Sequence, residues 1–301
     1  MIRRVYMSRD YEHLFDPGSE RVNFEKPDYD AIKASGLMCA DMHFHTHFSD
    51  SFTKVSDAIS LAKKRGVGFA ISDHNLIGGV LEAYDLRGND GPFIVPGIEI
   101  SSWDGPHILV YFYSLDEMKE YWEKNVKPYL GACPWLAMDK GTEWILDSLE
   151  DVNCVVSGAH PLGYLTAVKG VQKAIEHKRF GPEVAKRLDA YEVICSGMFR
   201  GENKSAREHA DEYGIGYTGG SDGHLLSELG SVLTISEATD LDGFLDDIKK
   251  HSNVIIGREK NVPKKFVMAM ASLSRFASAY PIKAAIGDLE RIRYHGTKYR
   301  P

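Results

Sequence analysis

The chain has 301 residues, of which 43% are hydrophobic and 26% are charged, so it can form one large α/β domain or two small ones. The formal net charge is −7, which gives no reason to expect a general affinity for nucleic acid or anionic membranes. The four cysteines form no CxxC pair, which indicates reduced thiols rather than a disulfide framework or a zinc ribbon. We find neither a signal peptide nor an apolar run of about 18 residues, and we therefore expect a cytoplasmic protein without a membrane contact.

The first 37 residues are polar and lack a clear period, so we predict that residues 1–37 form an N-terminal extension. Over residues 38–258, short apolar runs alternate with amphipathic stretches, which is typical of a mostly parallel sheet with helices outside, and the many units favour a barrel. The predicted strands are Leu37–Met42, Val67–Ser72, Phe93–Ile100, His107–Tyr113, Val152–Ser157, Ala190–Ile194, Gly216–Thr218, Ser231–Ile235 and Asn253–Ile256. The predicted helices are Val55–Arg65, Gly79–Leu86, Glu117–Tyr129, Thr142–Glu150, Val168–His177, Pro182–Arg187, Lys204–Tyr213 and Leu241–His251.

Residues 259–301 form a basic C-terminal tail. From Arg258 to Pro301 the chain carries ten Lys or Arg residues against three acidic residues. We predict a helix at Phe266–Ala279 followed by a loose end. The tail is either a solvated helix packed on the domain or a contact for a polyanion or a partner.

Residues that bind metals follow the ends of five apolar runs. The carboxyl ends of the strands in a parallel barrel share one face, and active sites are built on that face. An HxH pattern alone is more often an ordinary core or surface pair, but here carboxylates and further histidines accompany it. The strand ends supply His43 and His45, Asp73 and His74, Glu99, His160, and Asp222 and His224. The pattern therefore predicts a metal site.

The types of these residues narrow the choice of metal. His43 and His45 are two positions apart on a strand, so both imidazoles point to the same side and suit one cation. Mixed imidazole and carboxylate ligands favour Mn²⁺, Fe²⁺ or Zn²⁺ over Mg²⁺ or Ca²⁺, which prefer oxygen ligands. No cysteine lies among the candidates, which argues against a structural zinc site.

Five motifs in a fixed order contain these residues. They are His43-Phe44-His45-Thr46 with Ser49-Asp50, Ser72-Asp73-His74-Asn75, Pro96-Gly97-Ile98-Glu99-Ile100-Ser101, Gly158-Ala159-His160-Pro161 and Gly220-Ser221-Asp222-Gly223-His224. In this order they resemble the motifs of the polymerase and histidinol phosphatase (PHP) family of phosphoesterases. The resemblance runs from about Met38 to Arg258, and Leu229-Gly230 and Val254–Gly257 are similar to a short PHP-associated C-terminal segment. It implies a distorted seven-stranded (β/α) barrel that binds two or three divalent metal ions (Mn, Fe or Zn).

The resemblance also implies a ligand set, and each of its nine positions carries a suitable residue here. One metal would be held by His43, His45, Glu99 and Asp222. Glu99 would bridge to a second metal, held by His107 and His160. A third metal would be held by Asp50, His74 and His224. A complete set is expected of a catalytic member of the family.

Clustered cations lower the pKa of a bridging water from about 15.7 to about 7 and clamp phosphoryl oxygens for in-line attack. We hypothesise that hydroxide between the metals at Glu99 attacks phosphorus. Asp222 would both ligate and orient, and Asp73 would support the site beside His74. The three catalytic candidates are therefore Glu99, Asp222 and Asp73.

Candidates for substrate contact are less specific. Arg200 follows the strand Ala190–Ile194 at the same barrel end and could bind a substrate phosphate, or it is an ordinary surface arginine. Lys204 opens the next helix, where a solvated position is the alternative. Glu192 lies within the strand and could pair with a cation or a polar network inside the barrel, because a lone buried carboxylate is costly.

These observations predict a metal-dependent hydrolase of phosphoric esters that acts on a small phosphorylated substrate, which could be a nucleotide. The main alternative is an exonuclease or oligonucleotide-processing enzyme whose basic tail contacts the polyanion, although nucleic acid is not the favoured partner. A non-catalytic metal-binding regulatory domain and a hydrolase of amides or lactones are further alternatives, because the fold does not choose among these activities.

Overall fold

The computed structural model describes residues 11–163 and 168–298. The first ten residues of the predicted N-terminal extension, residues 164–167 and the last three residues of the tail lie outside the described residues. Within these ranges the chain forms an α/β fold, in which a curled sheet is surrounded by helices.

The sheet contains ten strands in the described part of the chain, not the seven of the barrel that the family resemblance implies. The strands are β1 Val22–Asn23, β2 Met38–Phe44, β3 Gly68–Ile71, β4 Ile94–Ser101, β5 His107–Phe112, β6 Cys154–Gly158, β7 Ala190–Cys195, β8 Gly216–Gly220, β9 Val232–Ser236 and β10 Val254–Gly257. Their order in the sheet is β1-β10-β9-β2-β3-β4-β5-β6-β7-β8. The count exceeds the prediction because β9 pairs antiparallel with the free edge of β2, and β10 and β1 then extend that edge.

Seven consecutive strands, β2 to β8, form the part of the sheet that surrounds the motifs. Pairs β2–β3, β3–β4, β6–β7 and β7–β8 are parallel, whereas β5 is antiparallel to both of its neighbours. The chain just after β8 returns to the end of β2, where a parallel bridge joins Phe44 to Gly223. The amide of His45 also donates to the carbonyl of Gly223 at 3.0 Å. This return brings the first and the last motif side by side.

Helices follow most of the strands. They are α1 Tyr29–Ser35, α2 Val55–Arg65, α3 Gly78–Leu86, α4 Leu115–Asn125, α5 Thr142–Asp147, α6 Val171–Glu176, α7 Arg200–Tyr213, α8 Leu241–Lys249, α9 Val262–Ala279 and α10 Ile282–Lys298. Local sequence explains several ends: Ser114, Asp240 and Asn261 accept a main-chain N–H as N-caps. Gly66 ends α2 with φ of 68°, a left-handed conformation that glycine adopts without strain.

Three short segments form 3₁₀ helices at Lys127–Tyr129, Ala185–Arg187 and Leu226–Glu228. A fourth, Tyr11–Phe15, lies in the N-terminal extension. The predicted helix at Pro182–Arg187 is therefore only one short 3₁₀ turn, because the loop packs Val184 and Ala185 into the core instead of extending.

The C-terminal tail is more ordered than predicted. The predicted helix at Phe266–Ala279 is found as α9, but α10 takes the place of the predicted loose end. Pro281 separates the two helices, and the backbone turns at Tyr280, where φ and ψ are −121° and 130°. In residues 11–163 and 168–298, no helix combines the length and apolarity needed to cross a membrane.

The core continues into the N-terminal extension. Tyr11, Leu14 and Val22 are buried against the main cluster of apolar side chains, as is Ile32 of α1. The parallel pairing of β1 with β10 ties the same segment to the sheet edge. The described part of the extension therefore packs as an integral layer on the sheet.

Candidate metal centre

His43 and Glu99 lie near the C-terminal ends of β2 and β4, His107 begins β5, and the other six candidate ligands lie on loops. Each of the nine residues is at most 9% exposed. Two of them occupy the left-handed region of backbone conformation, His160 with φ of 29° and Asp222 with φ of 45°. Residues other than glycine adopt such values at a cost of about 1 kcal/mol or more, and they cluster at functional sites where the surroundings hold them. The sharp turns after β6 and β8 direct these two side chains inward.

Glu99 lies at the centre of the cluster. Its Oε1 atom is 2.8 Å from Nδ1 of His107 and 3.1 Å from Nε2 of His160. Its Oε2 atom is 2.8 Å from Nδ1 of His74 and 3.5 Å from Nε2 of both His43 and His45. One carboxylate thus faces five imidazoles, which is the arrangement expected of a ligand shared by two cations.

A first group of ligand atoms contains His43, His45 and Glu99, all within 4.8 Å of one another. Nε2 of His43 is 3.2 Å from Nε2 of His45. Asp222 approaches the same nitrogens, with Oδ1 3.3 Å from Nε2 of His45 and 3.6 Å from Nε2 of His43. These are the four residues that the family resemblance assigns to one metal.

A second group surrounds Glu99 from the other side. His74, Glu99 and His107 have ligand atoms within 4.8 Å of one another. His160 joins them through its contact with Oε1 of Glu99, as the resemblance predicts, whereas His74 was predicted only for the third metal. His74 therefore lies between two of the candidate positions.

A third group consists of His45, Asp50, His74 and His224. Oδ2 of Asp50 is 3.0 Å from Nε2 of His224. Oδ1 of Asp50 is 3.8 Å from both Nδ1 of His45 and Nε2 of His74. The resemblance assigns three of these residues to one metal, and the structure adds His45, which also faces the first group. The structure brings all nine candidates together, and their role as ligands stays a prediction.

The donor set fits divalent cations. Oδ1 of Asp50 is buried and has no hydrogen-bond partner among the described residues. A buried carboxylate oxygen without a donor is costly, and a cation is the group that removes this cost. The close approach of the Nε2 atoms of His43 and His45 also indicates a cation site, because two neutral imidazole lone pairs repel unless a proton or a cation lies between them.

The electrostatics of the cluster favour ionised carboxylates. Burial alone would raise the pKa of Glu99, but the positive charges of His74 and His43, whose own pKa values are raised, outweigh burial and hold the pKa of Glu99 well below its usual range. In the same way, the charges of His224 and His74 outweigh burial and hold the pKa of Asp50 well below its usual range. Burial lowers the pKa of His45 to about 4 and that of His107 to about 3, which keeps both imidazoles neutral, as a metal ligand must be.

Glu192 supports the ligands from inside the sheet. Its Oε1 atom is 3.1 Å from Nδ1 of His43, and its Oε2 atom accepts the main-chain N–H of His160 at 2.7 Å. The sequence analysis placed Glu192 in a polar network inside the barrel, and the structure shows that its partners are two candidate ligands. This contact leaves Nε2 of His43 free to face the cluster.

Two groups that the sequence analysis missed hold the Asp222 loop. Asp41 accepts the amides of Ser221 at 2.8 Å and of Gly230 at 2.7 Å. A buried ion pair joins Lys260 to Glu228 at 3.1 Å. The hydrophobic residues that flank Asp41 in β2 were the available signal for a buried carboxylate, whereas nothing local indicates that Lys260 is buried.

Lys260 and Glu228 both bind main-chain atoms of the loop. Lys260 donates to the carbonyls of Ser221 and Asp222, each at 3.0 Å. Glu228 accepts the amide of His224 at 2.9 Å. The pair therefore fixes the backbone that carries two candidate ligands.

Asp73, one of the three catalytic candidates, binds the loop between His45 and Asp50. Its Oδ1 atom accepts the amide of Thr46 at 2.7 Å and the hydroxyl of Ser49 at 2.6 Å, and its Oδ2 atom accepts the hydroxyl of Thr46 at 2.6 Å. These contacts suit the supporting role that the sequence analysis gave Asp73, and its place among the catalytic residues stays a prediction.

The structure does not bring the two predicted substrate contacts to the cluster. Arg200 binds Glu259 at 2.8 Å, and its guanidinium lies 4.4 Å from the centre of the Phe24 ring. Lys204 is exposed on α7. Lys169 is a better-placed cation that the sequence analysis missed: its carbonyl accepts the amide of His107 at 2.8 Å, and its charge acts on both His74 and His107.

Comparison with known proteins supports the family resemblance. Residues 200–253 match the family model described as PHP-associated, the segment to which Leu229-Gly230 pointed. No curated protein sequence matches the chain.

Several solved structures have a similar fold. The endonuclease Q of Pyrococcus furiosus, described as a lesion-specific endonuclease, is 17% identical with a TM-score of 0.52, over 73% of this chain and 57% of that one. A two-domain protein of Bacteroides vulgatus, described as containing a predicted PHP-like metal-dependent phosphoesterase, is 14% identical with a TM-score of 0.52, over 80% of this chain and 69% of that one. An amidohydrolase of Chromobacterium violaceum is 16% identical with a TM-score of 0.51, over 74% of this chain and 99% of that one.

The fold and the cluster define the class of this protein: an α/β protein with a His, Asp and Glu cluster that could bind metal. The family-model match and the shared fold confirm the resemblance to the PHP family that the five motifs predicted.

Proposed function

We propose that the protein is a metal-dependent hydrolase of phosphoric esters that acts on a small phosphorylated substrate. The observation that carries the proposal is the convergence of three groups of His and carboxylate ligand atoms around Glu99. Two or three divalent cations bound there would activate a water near neutral pH and clamp phosphoryl oxygens. The PHP-like neighbours described as a metal-dependent phosphoesterase and an endonuclease support a phosphoester substrate.

The protein's own residues divide the remaining work. The first cation would be held by His43, His45, Glu99 and Asp222, the second by Glu99, His107 and His160, and the third by Asp50, His74 and His224. Glu192 holds the ring of His43 in place at 3.1 Å. Lys169, which is exposed beside His107, is placed to attract the phosphate of an approaching substrate.

Two observations favour a small substrate over a polyanion. The ligands are buried, and α9 covers part of the cluster, since Ser272 of α9 contacts Asp50. Some basic residues of the tail are engaged by the domain itself, for example Lys260 with Glu228, Arg275 with the carbonyl of His47 at 2.8 Å, and Arg291 with Asp139 at 3.0 Å. These side chains are less available for contact with a phosphate backbone.

The test is hydrolysis of a panel of phosphomonoesters and phosphodiesters by protein reconstituted with Mn²⁺, Fe²⁺ or Zn²⁺, together with elemental analysis. We expect release of phosphate from small esters, loss of turnover in His45→Ala, and normal turnover in His177→Ala, a matched change at an exposed histidine. Absence of hydrolysis with every metal, or full activity in metal-loaded His45→Ala, would contradict the proposal.

A second measurement separates small esters from nucleic acid. If the protein acts on oligonucleotides, their affinity falls steeply as salt rises, because each phosphate contact releases counterions. We expect cleavage of small esters to change little over the same range of salt. Preferential and strongly salt-dependent cleavage of an oligonucleotide would support the alternative of a nucleic-acid-processing enzyme.

A further inference from the structure

Ser272 lies in the middle of α9, outside every motif of the family resemblance, yet it contacts a candidate ligand. Its hydroxyl donates a hydrogen bond to Oδ2 of Asp50, a residue 222 positions earlier in the chain. Ser272 is part-buried at this contact, in a helix whose outer face is exposed. The tail therefore reaches the metal centre through one polar side chain.

The two oxygens of Asp50 have different surroundings. Oδ2 accepts the hydrogen bond from Ser272 and lies 3.0 Å from Nε2 of His224. Oδ1 is buried and has no hydrogen-bond partner among the described residues, and it lies 3.8 Å from ring nitrogens of His45 and His74. The hydrogen bond from Ser272 thus holds one oxygen of Asp50 from α9, and the other oxygen faces the imidazoles with which a cation would be shared.

Contacts before and after Ser272 in the chain fix the position of helix α9. Before the helix, Lys260 binds the carbonyls of Ser221 and Asp222. One turn after Ser272, the guanidinium of Arg275 donates to the carbonyls of His47 at 2.8 Å and of Ser51 at 3.3 Å. The Arg275 guanidinium also lies 5.1 Å from the centre of the Trp135 ring. These contacts anchor the helix on the loop that carries Asp50, so the position of Ser272 is defined.

We propose that Ser272 is a positioning residue for the third cation site, and that α9 is in this way a part of the metal centre. By holding Oδ2, Ser272 fixes the rotation of the Asp50 carboxylate and presents Oδ1 to the cation shared with His45, His74 and His224. Partners of this kind behind a ligand contribute about tenfold to a hundredfold in metal affinity. The inference rests on the proposed function, since it assigns Ser272 a role toward a metal ligand.

The experiment measures cation binding, not turnover alone. Isothermal titration with Mn²⁺ and elemental analysis after dialysis are carried out on the full chain, on Ser272→Ala and on Ser272→Thr. The control is Ser274→Ala, because Ser274 is exposed on the same helix. The free energy of unfolding of each metal-free variant, measured in urea, separates a loss of fold from a loss of ligand positioning.

We expect Ser272→Ala to bind one cation, that of the site containing Asp50, about tenfold to a hundredfold less tightly while the other sites are unchanged. Ser272→Thr keeps a hydroxyl and should bind close to the wild-type level, and Ser274→Ala should bind as the wild type does. Equal cation binding by the wild type and Ser272→Ala would overturn the role of Ser272 and leave the proposed function intact. A wild-type chain that binds no cation would instead overturn the proposed function and the role of Ser272 with it.

Discussion

Glu192 and His43 meet inside the curled sheet, where Oε1 of Glu192 lies 3.1 Å from Nδ1 of His43. Both side chains are almost fully buried, so the contact is shielded from water. The contact leaves Nε2 of His43 facing Glu99 and His45, which is the orientation that a ligand of the first cation requires. The carboxylate on β7 thus sets the geometry of a ligand on β2.

Replacing Glu192 should weaken metal binding without removing a ligand. Glu192→Gln keeps the shape of the side chain but loses its charge and the preferred orientation of the His43 ring. We expect the affinity for Mn²⁺ to fall about tenfold to a hundredfold in isothermal titration. The matched control is Glu208→Gln, because Glu208 is exposed on α7. An unchanged affinity in Glu192→Gln would show that the ring of His43 is held by other contacts.

Removing the Asp73 carboxylate should destabilise the fold. Asp73→Ala leaves the amide of Thr46 and two hydroxyls without their acceptor in a buried place. We expect the free energy of unfolding of the metal-free protein to fall by about 3 kcal/mol, measured by urea denaturation. Asp85→Ala, at an exposed position on α3, should change it by less than about 0.5 kcal/mol. Full stability combined with lost turnover would instead assign Asp73 a direct catalytic role.

Breaking the ion pair between Lys260 and Glu228 should be costly because it leaves a charge buried alone. We expect Lys260→Met to lower the free energy of unfolding by about 3–5 kcal/mol. The exposed Lys264 provides the control variant Lys264→Met, for which no comparable loss is expected. The double variant Lys260→Met with Glu228→Gln should recover part of the loss, and a double-mutant cycle measures the coupling. Additive losses would show that the two side chains do not stabilise each other.

The cysteines should be unreactive in the folded protein. All four thiols are buried, and none of them forms a disulfide in the described residues. Burial raises the pKa of Cys39 and of Cys154 to about 12, so almost no thiolate exists at pH 8. We expect a thiol-specific reagent such as DTNB to modify no more than a trace of the native protein, and all four cysteines after denaturation. Rapid labelling of the native protein would mean that these segments open readily.

Local sequence was sufficient for most of the fold and for the candidate ligands. Periodicity and the stop at Gly66 place α2 with the ends observed, because hydrogen bonds within a helix and its caps involve residues only a few positions apart. The predicted C-terminal end of α9 is also observed, but α9 begins at Val262, one turn before the predicted Phe266. Ligand residues such as His43 and Glu99 could be named because each lies near the C-terminal end of an apolar strand, and strand ends converge wherever such a sheet curls. The family resemblance then supplied their grouping.

The side chains that contact the ligands from distant parts of the chain could be identified only from the tertiary structure. Glu192 reaches His43 across 149 positions, and Ser272 reaches Asp50 across 222, so no local spacing relates either pair. The sequence predicts nine of the ten strands, but their arrangement depended on long-range pairing as well: β9 pairs with the edge of β2, and β10 and β1 extend the sheet from there. The amino-acid sequence by itself determined which side chains can bind a metal, since that property belongs to each residue. Only the packing of distant segments decided which side chains hold those ligands in place, because that depends on how the curled sheet and α9 meet.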